Sequence, residues 1–176
     1  MDPSVHSLLI YSVLMVIVTL SAIIDYNTHR IPNWLSFSGW YLGPILHLYF
    51  SGSPGLSASV MGLLVVLALT FPLFVLNWMG AGDVKLMTSV AAMVGIQHAL
   101  IVLASIFITG FVVSVILLIM RGAIVSYARR YWMMLGMSLI SNRPVYVEPE
   151  ESQRQIIMPY AISIAIGTLI SLCLLW

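Results

Sequence analysis

Six apolar stretches, separated by short polar segments, occupy most of this chain and constrain its fold more than any other feature. They cover residues 5–24, 34–50, 56–78, 84–97, 99–120 and 156–176. A helix needs about 20 apolar residues to cross a bilayer. Charged residues make up only 7% of the chain, whereas a soluble domain carries about a quarter. The sequence therefore predicts an all-α integral membrane protein of about six transmembrane helices, forming one membrane-embedded domain over residues 1–176.

The basic residues indicate how these helices are oriented. All seven follow the first, third or fifth stretch: Arg30, Lys85, Arg121, Arg129, Arg130, Arg143 and Arg154. Lys and Arg accumulate in cytoplasmic loops. We therefore expect both termini on the outer side, and Asp25 and Asp83 together at the cytoplasmic face.

The longest polar segment, residues 121–155, is predicted to lie in the cytoplasm. Its first half carries apolar residues on one helical stripe, namely Ile124, Ala128, Tyr131, Leu135 and Leu139. This pattern favours an amphipathic helix lying in the membrane interface. The alternative is a seventh span, which would place Arg129 and Arg130 at its centre at a cost of roughly 5 to 7 kcal/mol. Residues 141–155 read as a polar loop.

Two aspartates lie at the edges of apolar stretches, where an ionisable group is a functional-site hypothesis. Asp25 ends the first stretch, and Asp83 follows Gly80 and Gly82 just before the fourth. Two carboxyls in close approach share a proton, so one can take a proton from water while the other donates to a peptide carbonyl. The glycines permit a sharp turn and a close substrate strand. Alternatively, they form only a loop and Asp83 caps the fourth helix.

Other catalytic chemistries find little support in the sequence. No His-Glu-x-x-His motif is present, and His6, His29, His47 and His98 show no spacing typical of metal ligands. Cys173 is the single cysteine, so it forms no intrachain disulfide. We expect no metal, no cofactor and no nucleic-acid partner.

Three motifs resemble the type IV prepilin peptidase family of membrane aspartyl proteases. They are residues 24–34 (IDYNTHRIPNW), residues 80–87 (GAGDVKLM) and residues 158–161 (MPYA). Presenilin-like proteases share Gly-x-Gly-Asp, but its combination with the upstream Asp and Ile-Pro-Asn is specific. The larger family members have an extra cytoplasmic segment, often with Cys-x-x-Cys pairs, that is associated with methylation of the new N-terminus. This sequence has none, so it resembles the short form that serves Flp (tight-adherence) pili.

The resemblance implies a function and a set of site residues. Asp25 and Asp83 would be catalytic, with Gly80 and Gly82 as the motif frame. The candidate supporting residues in the same motifs are Arg30, Asn33 and Lys85. The substrates would be prepilins and pseudopilins with an N-terminal hydrophobic helix, cleaved at the cytoplasmic face of the bacterial inner membrane. N-methyltransferase activity is not expected, and the sequence leaves the oligomeric state open.

Two other functions fit parts of the sequence. A small proton-coupled transporter would also use buried carboxylates, but the middles of the apolar stretches contain no Asp, Glu, Lys or Arg. A non-catalytic subunit of a pilus or secretion machine would associate through small-residue faces such as Gly39 with Gly43, or Ser163 with Gly167. We expect these faces to pack within the chain instead.

The helix ends predict different roles for the two aspartates. Asp25 follows the first helix, whose negative end favours the protonated form. Asp83 precedes the fourth helix, whose positive end, together with Lys85, favours the ionised form. Asp83 would then be the base and Asp25 the acid. Burial of the short fourth helix would work against ionisation of Asp83.

Overall fold

The computed structural model describes residues 3–28, 30–120, 129, 132–134, 136–137 and 160–175, and these are helical with short turns and contain no β-strand. The helices with complete bounds are α1 (Pro3–Thr28), α2 (Asn33–Val75), α3 (Ala81–Val94), α4 (Ile96–Met120) and α5 (Tyr160–Leu175). Three described segments are long and apolar enough to cross a membrane: His6–Thr28, Asn33–Val75 and Ile96–Met120. Segment Tyr160–Leu174 is apolar but shorter. The all-α class is confirmed, and the count of six spans stays a prediction.

Helix α1 extends beyond the apolar stretch that predicted it, so Asp25 lies in its last turn rather than after it. The extension is stabilised by side chains that donate to carbonyl groups four residues earlier. Asn27 Nδ2 donates to Ile23 O at 2.9 Å, and Thr28 Oγ1 donates to Ile24 O at 2.8 Å. Pro32 separates α1 from α2, because proline lacks an N–H and disfavours helix at the preceding residue.

The second and third apolar stretches lie in one element, α2, which bends sharply at Gly52. Gly52 has φ 65° and ψ −152°, a conformation that glycine adopts readily and other residues rarely do. A methyl group on Gly55 would overlap the carbonyl oxygen of His47. Residues eight apart lie about 12 Å apart along a straight helix. This contact therefore shows that the chain doubles back between them.

Helix α3 packs against both halves of α2 through residues with small side chains. A methyl group on Gly39 would overlap Ser89 Oγ, and one on Gly43 would lie 2.6 Å from Ala92 O. On the other half of α2, a methyl group on Gly62 would lie 2.8 Å from Ala91 O. We call these contacts of Gly39, Gly43 and Gly62 the α2–α3 seam. Every residue of 86–95 is buried, so α3 is covered by protein.

The second small-residue face also packs within the chain. Gly167 of α5 lies against α4, where a methyl group would come 2.6 Å from both Ile106 Cα and Thr109 Oγ1. Thr109 Oγ1 also donates to Ser163 O at 3.0 Å. The prediction of intrachain packing is confirmed for both faces.

Contacts divide the chain into two compact units. Met1–Gly110 and Pro159–Trp176 form the first, which contains both aspartates, and Phe111–Met158 form the second. The predicted interfacial helix falls in the second unit and is described only at residues 129, 132–134 and 136–137. These residues are helical, and Trp132 is 80% exposed. The rest of that helix and the loop over 141–155 lie outside the described residues.

Candidate active site

The two aspartates lie where three helices and one connection meet, which we call the carboxylate end. It comprises the last turn of α1, the segment leading into α2, the first turn of α3 and the start of α5. Asp25 belongs to α1 and Asp83 to α3. A methyl group on Gly82 would lie 3.4 Å from Ile31 Cβ, so the start of α3 contacts the segment between α1 and α2.

Asp25 is buried, with 7% of its surface exposed. Its Oδ2 accepts a hydrogen bond from the backbone N–H of Ala161, with an N to O distance of 3.2 Å. Ala161 is the second residue of α5, and the first four N–H groups of a helix have no acceptor within it. The positive end of α5 therefore faces Asp25. This positive end opposes the effect of the negative end of α1, from which the protonated form of Asp25 is predicted.

Asp83 lies in the first turn of α3 and is less buried than Asp25. Burial and, to a smaller extent, the negative charge of Asp25 together raise the pKa of Asp83 to about 6. A hydrogen bond from the Gly80 backbone acts in the opposite direction. The structure therefore brings the two carboxylates within electrostatic range. It also shows that burial opposes the ionised form that the helix end predicted for Asp83.

The two glycines of the motif differ in their surroundings. A methyl group on Gly80 would lie 3.0 Å from Asp83 Oδ2, closer than side-chain carbons normally approach other groups. At Gly82 the nearest atom, Ile31 Cβ, would be 3.4 Å away, which is near an ordinary van der Waals contact. Because Gly80 has no side chain, the turn can lie against the carboxylate of Asp83. A methyl group at Gly82 would meet no close obstruction.

Two of the candidate supporting residues contact each other. Lys85 Nζ donates to Asn33 Oδ1 at 3.0 Å and lies 5.1 Å from the centre of the Phe37 ring. The same turn of α3 is held by Trp40, whose Nε1 donates to Lys85 O at 3.2 Å. These contacts attach α3 to the start of α2. Arg30, the third supporting residue, is exposed, and its carbonyl accepts a hydrogen bond from Thr28 Oγ1 at 3.0 Å.

Tyr160 is a site residue that the sequence argument did not single out. It begins α5, is partly buried, and lies within electrostatic range of Asp83. Its hydroxyl group lies against Gly110, where a methyl group would come 2.9 Å from the phenolic oxygen. The signal available in the sequence was the motif over 158–161, which contains Tyr160.

An apolar groove of about 290 Å³ runs between α1 and α5. Its walls include Ala22, Ile23 and Tyr26 on α1, with Ile162 and Ala165 on α5. Asp25 does not line this groove, but the groove lies between the same two helices that Asp25 and Ala161 join.

The described residues contain no group of three or more His, Cys, Asp or Glu side chains that could hold a metal ion. The chemistry that they can perform at the carboxylate end is proton transfer between carboxyl groups, water and a bound peptide.

Comparison with known proteins identifies the family of this chain. The model of the type IV leader peptidase family matches residues 12–118, a region that includes both aspartates and both glycines of the motif. No curated protein sequence and no solved structure gives a significant match.

Proposed function

Since the chain belongs to the type IV leader peptidase family and is therefore a protease, we propose that it is an aspartyl endopeptidase with Asp25 and Asp83 as its catalytic pair. It cleaves the leader peptide from Flp-type prepilins and related pseudopilins. The whole chain, 1–176, acts as one peptidase domain. No cofactor takes part.

The observation that carries this proposal is the electrostatic interaction between Asp25 and Asp83. They are separated by 58 positions in the sequence and lie on different helices. Two interacting carboxyls do not ionise together cheaply, so the pair holds one proton over a range of pH. The ionised member removes a proton from water, the water oxygen attacks the scissile carbonyl carbon, and the protonated member donates to the carbonyl oxygen.

The apolar groove between α1 and α5 supports a substrate with an N-terminal hydrophobic helix. Its walls are formed mainly by aliphatic and aromatic side chains, among them Ile23, Tyr26 and Ile162. When the apolar helix of the substrate lies in this groove, one terminus of that helix is close to Asp25 and Asp83. The peptide bond at the boundary between the leader and the helix then reaches Asp25 and Asp83.

The proposed orientation places the carboxylate end at the cytoplasmic face of the inner membrane and both termini on the outer side. It rests on the distribution of Lys and Arg. In this orientation Arg30 lies at the cytoplasmic mouth of the site, and Lys85 with Asn33 anchors the first turn of α3. We do not assign methyl transfer to the chain.

The two alternative functions receive no specific support. The small-residue faces that suggested a non-catalytic subunit are occupied by contacts within the chain, at Gly39, Gly43 and Gly167. The carboxylates that suggested a transporter lie at helix ends, whereas a transport path needs polar groups near the midplane.

The test is co-expression with a candidate Flp-type prepilin. Cleavage by the wild-type protein is expected to give a mobility shift equal to the length of the leader. Asp25→Asn and Asp83→Asn are each expected to abolish this shift while the protein remains in the membrane. Asp2→Asn, the same change at the remaining aspartate of the chain, serves as the matched control. Normal processing by either active-site variant would exclude the aspartyl mechanism.

A further inference from the structure

The start of α5 contacts the site although it lies outside the region matched to the family, which ends at residue 118. Two adjacent residues reach the two carboxylates. The backbone N–H of Ala161 donates to Asp25 Oδ2 at 3.2 Å, and Tyr160 lies within electrostatic range of Asp83. The start of α5 thus bonds to Asp25 and lies within the electrostatic field of Asp83.

The direction of the hydrogen bond from Ala161 bears on which of the two aspartates carries the shared proton. A backbone N–H can only donate, so Asp25 Oδ2 is the acceptor, and an ionised carboxylate accepts such a bond more strongly than a neutral carboxyl group does. The N-terminus of a helix carries about half a positive charge, which stabilises a negative group placed against it. Asp25 therefore has both a donor and a helix end that suit a carboxylate.

We propose that the N-terminus of α5 is the positioning element of the catalytic pair: the Ala161 N–H holds Asp25 as the carboxylate, and the shared proton resides on Asp83. This inference rests on the proposed function and reverses the roles that the ends of α1 and α3 predicted. Asp25 is the base that activates water, and Asp83 is the acid.

The steps then balance within the pair. Asp25 takes a proton from water as the water oxygen bonds to the scissile carbonyl carbon, and Asp83 gives its proton to the carbonyl oxygen. When the carbon–nitrogen bond breaks, the proton on Asp25 passes to the leaving nitrogen. Asp83 recovers a proton from a hydroxyl group of the intermediate as the carboxylic acid product forms.

The surroundings of Asp83 agree with this assignment. The ionisable groups that face it are Asp25 from α1 and Tyr160 from α5. On α3 itself, the ammonium group of Lys85 is bonded to Asn33, an uncharged residue of α2. Arg30, between α1 and α2, is exposed. Burial, together with the negative charge of Asp25, raises the pKa of Asp83 to about 6, which favours its protonated form below that pH.

The first test locates the proton in the purified full-length protein by infrared spectroscopy. The expected result is a protonated carboxyl band below about pH 6 that is absent from Asp83→Asn and titrates away as the pH rises. A resting band that persists in Asp83→Asn and is lost in Asp25→Asn would place the proton on Asp25 and overturn the proposal. This measurement needs no substrate.

The second test removes one donor from the backbone. Replacing Ala161 by lactic acid substitutes an ester oxygen for its N–H and leaves the methyl group in place. The matched control is the corresponding ester at Ile162, the next residue of the same helical turn. We expect the ester at 161 to add a second protonated carboxyl band, assigned to Asp25. It should also lower kcat by roughly 10- to 100-fold, as for loss of a hydrogen bond to a charged group, with KM little changed.

These outcomes separate the two proposals. An equal effect of the two esters, or no effect of the ester at 161, would show that Ala161 does not position Asp25. If the infrared bands behave as expected but the wild-type protein cleaves no prepilin, the proton assignment stands and the proposed function fails. If cleavage occurs and the resting proton is found on Asp25, the proposed function stands and the role of α5 is wrong.

Discussion

The carboxylate end and the α2–α3 seam position the same helix, α3, by opposite means. In the seam, glycines bring backbones together, and added methyl groups would lie within 2.8 Å of atoms in α3. At the carboxylate end, single polar contacts join the elements, such as Ala161 to Asp25 and Lys85 to Asn33. The packing of the seam therefore depends on the volume of its side chains, whereas the contacts at the carboxylate end depend on charge and hydrogen bonding.

This difference explains how a polar site can be held at the end of an apolar bundle. Close packing is stiff, because interiors cannot absorb even one extra methylene without cost. The seam fixes α3, and α3 carries Asp83 in its first turn. The carboxylate end then needs only a few hydrogen bonds to set the orientation of its side chains.

The largest effect is expected from adding one methyl group to the seam. Gly43→Ala places a carbon 2.6 Å from Ala92 O and should destabilise the protein by about 1–3 kcal/mol, although alanine is the better helix former by about 1 kcal/mol. The matched control is Gly136→Ala, where the methyl group meets no atom within 4 Å. Thermal unfolding in detergent gives the comparison. Equal stability of the two variants would show that the seam tolerates volume.

The next effect concerns charge at the carboxylate end. Asp25→Asn removes the negative charge that raises the pKa of Asp83, so Asp83 should lose its proton at a pH below the wild-type value of about 6. The carboxyl band of Asp83 in an infrared titration reports the midpoint. Asn27→Ala changes an uncharged residue at the same end of α1, and this variant should leave the titration midpoint of Asp83 unchanged. An unshifted midpoint in Asp25→Asn would mean that the two carboxylates do not interact.

A smaller effect on stability is expected at Trp40, which lies between the carboxylate end and the α2–α3 seam. Trp40 Nε1 donates to Lys85 O at 3.2 Å and to Thr88 Oγ1 at 3.0 Å. Trp40→Phe removes this donor and should lower the free energy of unfolding by about 0.5–1.5 kcal/mol, while kcat/KM for prepilin cleavage changes little. A large loss of kcat without loss of stability would place Trp40 in the catalytic machinery.

The smallest effect is expected from metal removal. A strong chelator should leave the rate of prepilin cleavage unchanged, because the proposed chemistry uses only carboxyl groups and water. Titrating the purified enzyme with chelator during a cleavage assay checks this. Inactivation that zinc reverses would show that a metal ion serves the site.

Much of this arrangement could be predicted because it depends on residue types that are visible in the sequence. The apolar stretches predicted helices, and the structure confirms them. The placement of the basic residues predicted that Asp25 and Asp83 lie at one face of the membrane; the structure brings the two residues together, and the face stays a prediction. The Gly-x-Gly-Asp motif predicted a sharp turn before Asp83, and in the structure Gly80 lies against the Asp83 carboxylate. The catalytic roles of both aspartates stay a prediction until the variants are tested.

Other features could not be predicted because the sequence does not encode them locally. Every residue except proline has a backbone N–H, so nothing marks Ala161 as the donor to Asp25. An apolar stretch also looks the same whether lipid or protein covers it, so the sequence does not indicate that α3 is enclosed by other helices. Its burial depends on the bend at Gly52, which brings both halves of α2 against it.

The covering of α3 by protein has a consequence for the response to different lipids. At 14 residues, α3 is about 21 Å long, whereas the hydrocarbon core of a bilayer is about 30 Å thick. A lipid-exposed helix of this length would tilt or thin the bilayer to relieve hydrophobic mismatch. Helix α3 escapes this constraint, because its neighbours are helices of the same chain. The depth of Asp83 is therefore set by α2, and cleavage should proceed at similar rates in bilayers of short and long acyl chains.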